Sequence, residues 1–396
     1  MPILPYTTSR VDKGATLFVF ILGSLTALIL RFRHLAGRDL WGDELYQLEL
    51  SKGPFKPIWQ RLTYGDFTSF PGDYLLTYPF MQIFGLNKWG LAIPHIAATV
   101  LGLVILFLIA RRYYRSFVGY LVAFAVVAFH SDLIFHSFEF RPYAVMPTLA
   151  LAAFLFADIF VTEFDRLSNT QRRVILAVFV LMIWFHALGI LMVVCPLLFF
   201  ILDSRFWLDK KKRDDLIKWL GGMFLVALPV WAWYATGNPD HHTPASRLEV
   251  GIHPFAVVQN PFETGFGSFF NRIFLYNLIG FKKFYFLLGA MVFVILIPQK
   301  NGLQKPAFYL LIIFLPIASI LSAALISNYW FLDRQYNYLS PLFAFFLGWL
   351  WDTAFSYFRD RSQSFQSRPL QWTEGLAFFM MAGCSIGGTV GMIVSH

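Results

Sequence analysis

The segment Arg38-Asp-Leu-Trp-Gly-Asp-Glu44 directly follows an apolar run over about residues 15–35. That run has the length that a helix needs to cross the hydrocarbon core of a bilayer, roughly 20 residues. The short polar stretch before it is basic, and basic flanks favour the cytoplasmic side. The sequence therefore predicts a retained first transmembrane helix that delivers the adjacent carboxylates of Asp43 and Glu44 to the outer face of the membrane.

The composition is that of a membrane protein. The 396 residues are 57% hydrophobic and 19% aromatic, with a mean hydropathy of +0.58, whereas soluble domains are about 45–50% apolar. The net charge of +9 comes from basic residues in short gaps between apolar runs, the distribution that orients a polytopic protein. The composition therefore indicates the lipid bilayer as a partner and excludes nucleic acid.

The hydropathy pattern predicts an all-α polytopic protein with about 11 transmembrane helices. One membrane domain is expected over residues 1–396, with its N-terminus in the cytoplasm and its location in the plasma (inner) membrane. The spans are expected near residues 15–35, 90–110, 117–135, 142–162, 217–235, 284–298, 307–327, 338–354 and 373–394, with two short helices within 174–202.

Four segments then face the extracytoplasmic side, residues 36–89, 136–142, 236–281 and 328–337. The first is long and carries too many charges to span. Its apolar part, Tyr74 to Leu86, has a length that suits a helix lying in the membrane interface.

Three polar clusters fall on this outer side, in three separate segments. They are Asp43 with Glu44, Glu139 with Arg141, and Asp333 with Arg334. Arg141 and Arg334 each precede a helix that enters the membrane, and a helix N-terminus offers free N–H groups and a partial positive charge. The pattern predicts a phosphate site, although each arginine alone also fits a membrane-boundary anchor.

The residues of these clusters resemble a known group of enzymes. Leu40-Trp-Gly-Asp-Glu44 is similar to the Trp-x-Asp-Glu signature of polyprenyl-phosphate-dependent glycosyltransferases of the GT-C fold. That superfamily includes protein O-mannosyltransferases, the lipid A aminoarabinose transferase and bacterial galacturonosyltransferases. Ser137–Ala144 resembles its Glu-x-Arg-Pro-Tyr motif, and Arg334–Pro341 is similar to its late Arg-Tyr-x-x-x-x-Pro element.

The resemblance covers about residues 15–165 and, more loosely, 325–350, and it has two departures. Ser69-Phe-Pro-Gly-Asp73 stands where many relatives have His-Pro-Pro or Lys-Pro. Ala92-Ile-Pro-His95 stands where an arginine often precedes the proline. Both departures concern recognition of the donor.

The resemblance implies a GT-C-type bundle whose long first outer loop contains interfacial helices. It also implies inverting transfer of a sugar from a polyprenyl-phosphate donor to an acceptor hydroxyl on a glycan, lipid or protein. Asp43, with Glu44, would carry the catalysis as general base. The donor phosphate would be bound by Arg141 and Arg334. The acceptor-orienting candidates are Glu139, Tyr143, Tyr336 and Asp73.

No cofactor is expected beyond the lipid-linked donor, and no residue is assigned to a metal. A divalent metal in the second long outer segment stays an alternative, because His241, His242 and His253 lie there without a compact ligand spacing. Three other functions also stay open: a glycolipid transporter or flippase, a non-catalytic subunit of a glycan assembly complex, and an O-antigen ligase or polymerase type of enzyme.

Overall fold

The computed structural model describes residues 13–36, 39–40, 42–56, 59, 71–137, 140–186, 188–201, 209–236 and 337–363. All regular secondary structure within these ranges is helical. The helices are α1 (Lys13–Ala36), α2 (Gly42–Leu50), α3 (Pro71–Phe84), α4 (Lys88–Tyr113), α5 (Phe117–Phe129), α6 (Ser131–His136), α7 (Pro142–Thr162), α8 (Asn169–Phe185), α9 (Gly189–Ile201), α10 (Lys210–Thr236) and α11 (Ser340–Gln363).

Four of these helices, α1, α4, α7 and α10, are long and apolar enough to cross a membrane. The predicted all-α polytopic membrane fold is therefore confirmed. The described residues of the segment 36–89 include the helices α2 and α3, in agreement with the expectation of helices there. The expected spans near 284–298, 307–327 and 373–394 lie outside the described residues.

The expected third span, residues 117–135, is wrong as a single helix. Helix α5 ends at Phe129, and His130 separates it from the short helix α6. The reason is local, because the Nδ1 atom of His130 accepts a hydrogen bond from the N–H of Leu133 at 3.4 Å and caps α6. The N–H of Leu133 thus bonds to a histidine side chain and not to the backbone carbonyl that a continuous helix would supply.

Helix α7 is the most buried of the four long helices and packs between α4 and α9. Gly102 of α4 faces Thr148 of α7, where an added Cβ would lie 2.5 Å from the Thr148 hydroxyl. That hydroxyl donates to the carbonyl of Ala98 at 2.7 Å. Glycine thus allows α4 and α7 to approach closely at their middles, and the hydrogen bond fixes the contact.

The packing of α3 depends on a second close approach. An added Cβ at Gly72, in the first turn of α3, would lie 2.5 Å from the Cα of Phe185 at the end of α8. The start of α3 therefore lies directly against the turn that joins α8 to α9. This contact places Asp73, the next residue of α3, close to His186 in that turn.

Candidate functional site

The acidic segment and the motif before α7, which are far apart in sequence, meet in the structure. Glu44 lies in the first turn of α2 and is fully buried. Its Oε1 accepts a hydrogen bond from the backbone N–H of Phe140 at 2.8 Å. Phe140 directly precedes Arg141, the N-cap residue of α7. Two of the three predicted polar clusters are therefore joined by a direct bond.

A second buried network ties α2 to α3 and α4. The Nε2 of Gln47 donates to Asp73 Oδ2 at 2.8 Å and to the hydroxyl of Thr77 at 2.9 Å. Asp73 Oδ1 lies 3.2 Å from Nε2 of His95. Asp73, Gln47, Thr77 and His95 are each 0% exposed. Because buried polar groups need partners, this network fixes α2 relative to α3 and α4.

The ring of His95 links α4 to α3. Its Nδ1 lies 2.7 Å from the carbonyl oxygen of Leu91, one turn earlier in α4. Its Nε2 lies 3.2 Å from Asp73 Oδ1 in α3. The imidazole therefore bridges the backbone of α4 and the carboxylate of Asp73.

Arg141, Tyr143 and His186 form the next layer of the cluster. Arg141 and Tyr143 are buried, and the Tyr143 and His186 rings meet edge to face with centroids 6.0 Å apart. Nδ1 of His186 accepts from the N–H of Leu188 at 3.1 Å. Burial, helped by the charge of Arg141 and opposed by Asp73, lowers the pKa of His186 to about 4. The His186 ring is therefore neutral at pH 7.

The structure brings together four of the predicted site residues, Glu44, Asp73, Arg141 and Tyr143. Asp43 lies next to Glu44 in α2, and its side chain is outside the described part of the structure. Glu139, Arg334 and Tyr336 lie outside the described residues altogether. Among the residues that the structure describes, no group of three His, Cys, Asp or Glu side chains is placed to hold a metal.

Four members of the cluster were not predicted as site residues, Gln47, Thr77, His95 and His186. A signal existed for His95, because an ionisable side chain inside an apolar span is rarely placed there without a partner. Gln47 follows Glu44 by three residues and so shares its helix face, but nothing in its type alone distinguishes it. His186 lies at the end of α8 and is buried beside Tyr143.

The other ends of α4 and α7 carry a different kind of polar cluster. Arg112 donates to Asp158 at 2.7 Å and to Glu163 at 2.8 Å. Asp352 of α11 accepts from the N–H groups of Arg115 and Ser116, at 2.7 and 2.6 Å. Seventeen residues separate His95 from Arg112 along α4, which is about 25 Å of helix. This cluster joins helix ends to one another and lies far from Glu44.

The matched family agrees with the resemblance seen in the motifs. Residues 71–233 match the model of a family described as dolichyl-phosphate-mannose-protein mannosyltransferase. No curated protein matches this chain. Among solved structures, the chain is similar to the crystal structure of ArnT from Cupriavidus metallidurans bound to undecaprenyl phosphate. The two are 15% identical, the alignment covers 94% of this chain and 75% of that one, and the TM-score is 0.47.

The family match spans α3 to α10 and so includes Asp73, His95, Arg141, Tyr143 and His186. The predicted resemblance to glycosyltransferases of this class is therefore confirmed over that part of the chain. The early acidic segment lies outside the matched range. The hydrogen bond from Phe140 to Glu44 connects that segment physically to the matched part.

Proposed function

We propose that this chain is an inverting glycosyltransferase that moves a sugar from a polyprenyl-phosphate donor to an acceptor hydroxyl on the extracytoplasmic side of the membrane. The observation that carries the proposal is the buried hydrogen bond between Glu44 and the N–H of Phe140. It holds the carboxylate-bearing helix α2 against the N-terminus of α7. This bond supports a site in which a proton acceptor and an anion site lie side by side.

The anion site consists of Arg141 and the first turn of α7. Arg141 is the N-cap residue and Pro142 follows at the first helical position, where a proline costs no hydrogen bond. The free N–H groups of the next turn and the helix dipole favour a phosphate at this point. Arg141 would bind the leaving phosphate, together with Arg334 from the late motif.

Asp43 is the general base in this proposal, and it takes the proton of the attacking hydroxyl. A carboxylate of ordinary pKa, about 4, is a weak base toward an alcohol, so the proton moves late in the reaction. A positioned base contributes about 10²–10⁴-fold to the rate. The remaining acceleration comes from orientation and from stabilising the phosphate that departs.

Glu44 and Asp73 act by positioning in this scheme. Both oxygens of Asp73 are directed at His95 and Gln47, so its carboxylate fixes α2 and, through it, Asp43. Tyr143 packs on His186 and is proposed as an acceptor-orienting residue. Glu139 and Tyr336 complete the proposed acceptor-orienting set.

The distribution of basic residues supports the extracytoplasmic placement. Arg111 and Arg112 end α4, far from Glu44. Lys212, near the start of α10, lies 3.6 Å from Asp165, just beyond the end of α7, so basic Lys210–Arg213 belongs to the same end. Basic segments stay in the cytoplasm. We propose a plasma-membrane enzyme with one domain over residues 1–396, a cytoplasmic N-terminus and its site at the opposite face.

The test is sugar transfer by the full chain in liposomes, with a panel of radiolabelled polyprenyl-phosphate sugars as donors. Asp43→Asn is nearly isosteric and is expected to lower transfer by about 10²–10⁴-fold, the contribution of a positioned base. Glu49→Gln is the matched control, because Glu49 lies on the same helix with its side chain 67% exposed. The control is expected to transfer at the native rate.

Equal rates for Asp43→Asn and the native chain would remove Asp43 as the base. If the native chain consumes no donor on the panel, the proposal of transfer fails. Movement of labelled glycolipid between leaflets would then favour the flippase alternative. If Asp43→Asn disrupted a complex with a partner protein but left sugar transfer unchanged, the chain would instead be a non-catalytic subunit.

A further inference from the structure

A small cavity lies inside the bundle, next to the first two turns of α7. Its volume is about 40 Å³, and it extends along α7 from Tyr143 to Leu151. That volume holds roughly three water molecules, so it fits one compact polar group and excludes a sugar ring. Arg141 is not among the residues that line it, whereas Tyr143 and Ala144 of the first turn of α7 are, so the cavity adjoins the anion site proposed above without including its arginine.

The cavity contains a buried arginine on its α1 side. Arg31 lies within α1 and is 2% exposed. Its Nη1 donates to the carbonyl of Ala27 at 2.9 Å, and its Nη2 donates to the carbonyl of Val127 at 3.1 Å. Its Nε is buried and has no hydrogen-bond partner. Within the described part of the chain, no carboxylate forms an ion pair with Arg31.

A second polar group with an unmet hydrogen-bonding need faces the same cavity. Asn337 is 3% exposed, and its Oδ1 is buried without a partner. Two residues that line the cavity therefore each carry a buried atom without a hydrogen-bond partner, the donor Arg31 Nε and the acceptor Asn337 Oδ1. Each unsatisfied group of this kind destabilises a folded protein unless something fills the space between them.

Water would satisfy both atoms, but it would leave the charge of Arg31 without a counter-charge inside a membrane-spanning helix. Arg31 lies near the end of the span Lys13–Arg33 but is buried, and a buried charge within a span is costly and marks an ion or ligand site by default. A phosphate monoester supplies both requirements. One phosphate oxygen accepts from Arg31 Nε, and the phosphate hydroxyl donates to Asn337 Oδ1, with the negative charge facing the guanidinium.

We propose that this cavity is a second anion subsite, which binds a phosphate group below the level of Arg141. The other lining side chains are mostly apolar, Leu103, Leu106, Val127 and Leu151 among them. Such walls suit the head of a lipid phosphate better than a free, fully hydrated ion. The subsite does not depend on sugar transfer, because binding of a phosphate requires neither a donor sugar nor an acceptor.

The experiment measures the number of phosphates that the full chain binds in detergent. The probe is radiolabelled farnesyl phosphate, with farnesol as the uncharged comparison and inorganic phosphate as the competitor. The native chain is expected to bind two equivalents, one at each subsite. Arg31→Met, which keeps side-chain length and removes the charge, is expected to bind one equivalent.

The matched control is Arg33→Met, the same substitution two residues further along α1 at an exposed position. It is expected to bind two equivalents. Asn337→Leu removes only the acceptor and is expected to weaken the second equivalent about tenfold, the loss that corresponds to one hydrogen bond. A thermal unfolding midpoint for each variant shows whether it folds.

The outcomes separate this proposal from that of transfer. Equal stoichiometry and affinity for the native chain and Arg31→Met would overturn it, as would equal binding of farnesol and farnesyl phosphate. A single native equivalent that disappears in Arg31→Met would support the subsite and contradict the phosphate site at Arg141. Displacement of the Arg31-dependent equivalent by inorganic phosphate would identify a free anion instead of a lipid as the ligand.

Discussion

The polar clusters at the two ends of α4 and α7 are built from different groups. At one end, Arg112 meets two carboxylates, and Asp352 accepts two backbone N–H groups and the hydroxyl of Ser116. At the other, Asp73 meets a histidine and an amide, and Glu44 holds the backbone next to Arg141. The first cluster couples helix ends through matched charges. The second ties α2 to α3 and α4 and places an arginine at a helix N-terminus.

The difference teaches which polar clusters in such a bundle are structural. A carboxylate that pairs with arginine, or that accepts from the free N–H groups at a helix end, has its partners within the fold, and its role is structural. Asp73, at the other end, meets a histidine and a neutral amide instead, and it lies close to His186 and Arg141. The two ends are therefore expected to respond differently to equivalent substitutions.

The largest expected contrast is between the two arginines. Arg141→Lys keeps the charge but loses the planar fork that matches a phosphate. We expect kcat/KM for transfer to fall by about 10²–10³-fold, the usual cost of removing one donor to a developing anion. Arg112→Lys is expected to lower the unfolding midpoint and to leave kcat/KM near the native value. Similar losses of kcat/KM for both variants would show that the two ends do not differ in their role in transfer.

The next contrast compares two buried carboxylates. Glu44→Ala and Asp352→Ala each leave at least one backbone N–H without its partner, at a cost of about 1–3 kcal/mol of unfolding free energy. Only Glu44→Ala is expected to reduce transfer as well, because it frees α2 from the N-terminus of α7. Denaturant unfolding and transfer rates measured on both variants test this.

Glu44→Gln sharpens this comparison, because an amide oxygen can still accept from the N–H of Phe140. It is expected to retain most of the native stability. If Glu44→Gln were as unstable as Glu44→Ala, the hydrogen bond to Phe140 would not be what holds α2.

The smallest expected effect is on the pH dependence of stability. Burial beside Arg141 lowers the pKa of His186 to about 4, below the unfolded value of about 6.5. The unfolded chain therefore binds more protons between these values, and stability falls as the pH drops from 6.5 toward 4. The slope from this one group is at most about 1.4 kcal/mol per pH unit.

His186→Gln should flatten that part of the profile and leave the plateau above pH 6.5 unchanged in slope. His136→Gln is the comparison, since His136 lies in α6 and has only intermediate exposure at a helix end. An unchanged slope below pH 6.5 in His186→Gln would show that His186 is not the group responsible.

Much of the fold could be predicted from the sequence, because long apolar runs have few structural solutions in a membrane. The pairing of Glu44 with the motif before α7 also followed from topology, since both segments fall on the same side. The break at His130 could not be predicted, because a histidine cap depends on a local backbone choice that hydropathy does not record.

The contact between Asp73 and His95 could not be predicted for a different reason. Asp73 lies in a segment that composition assigns to the membrane surface, where a carboxylate needs no partner. Only the packing of α3 against α4 and α8 reveals that it is buried beside His95. Arg31 likewise lies at the end of the first apolar run, where the sequence does not reveal that it is buried. Tertiary burial, which no window of sequence contains, decides the role of both residues.

The contact between Gly102 and Thr148 gives α4 and α7 a common pivot. Thr148 stands seven residues from Arg141 and ten from Asp158 along α7, about 10 and 15 Å. A tilt of α7 about that point would carry its two ends in opposite directions. The ion pair between Arg112 and Asp158 would therefore also affect the position of Arg141. The end of the bundle that carries Arg112 would act as a remote aligner of the end that carries Arg141.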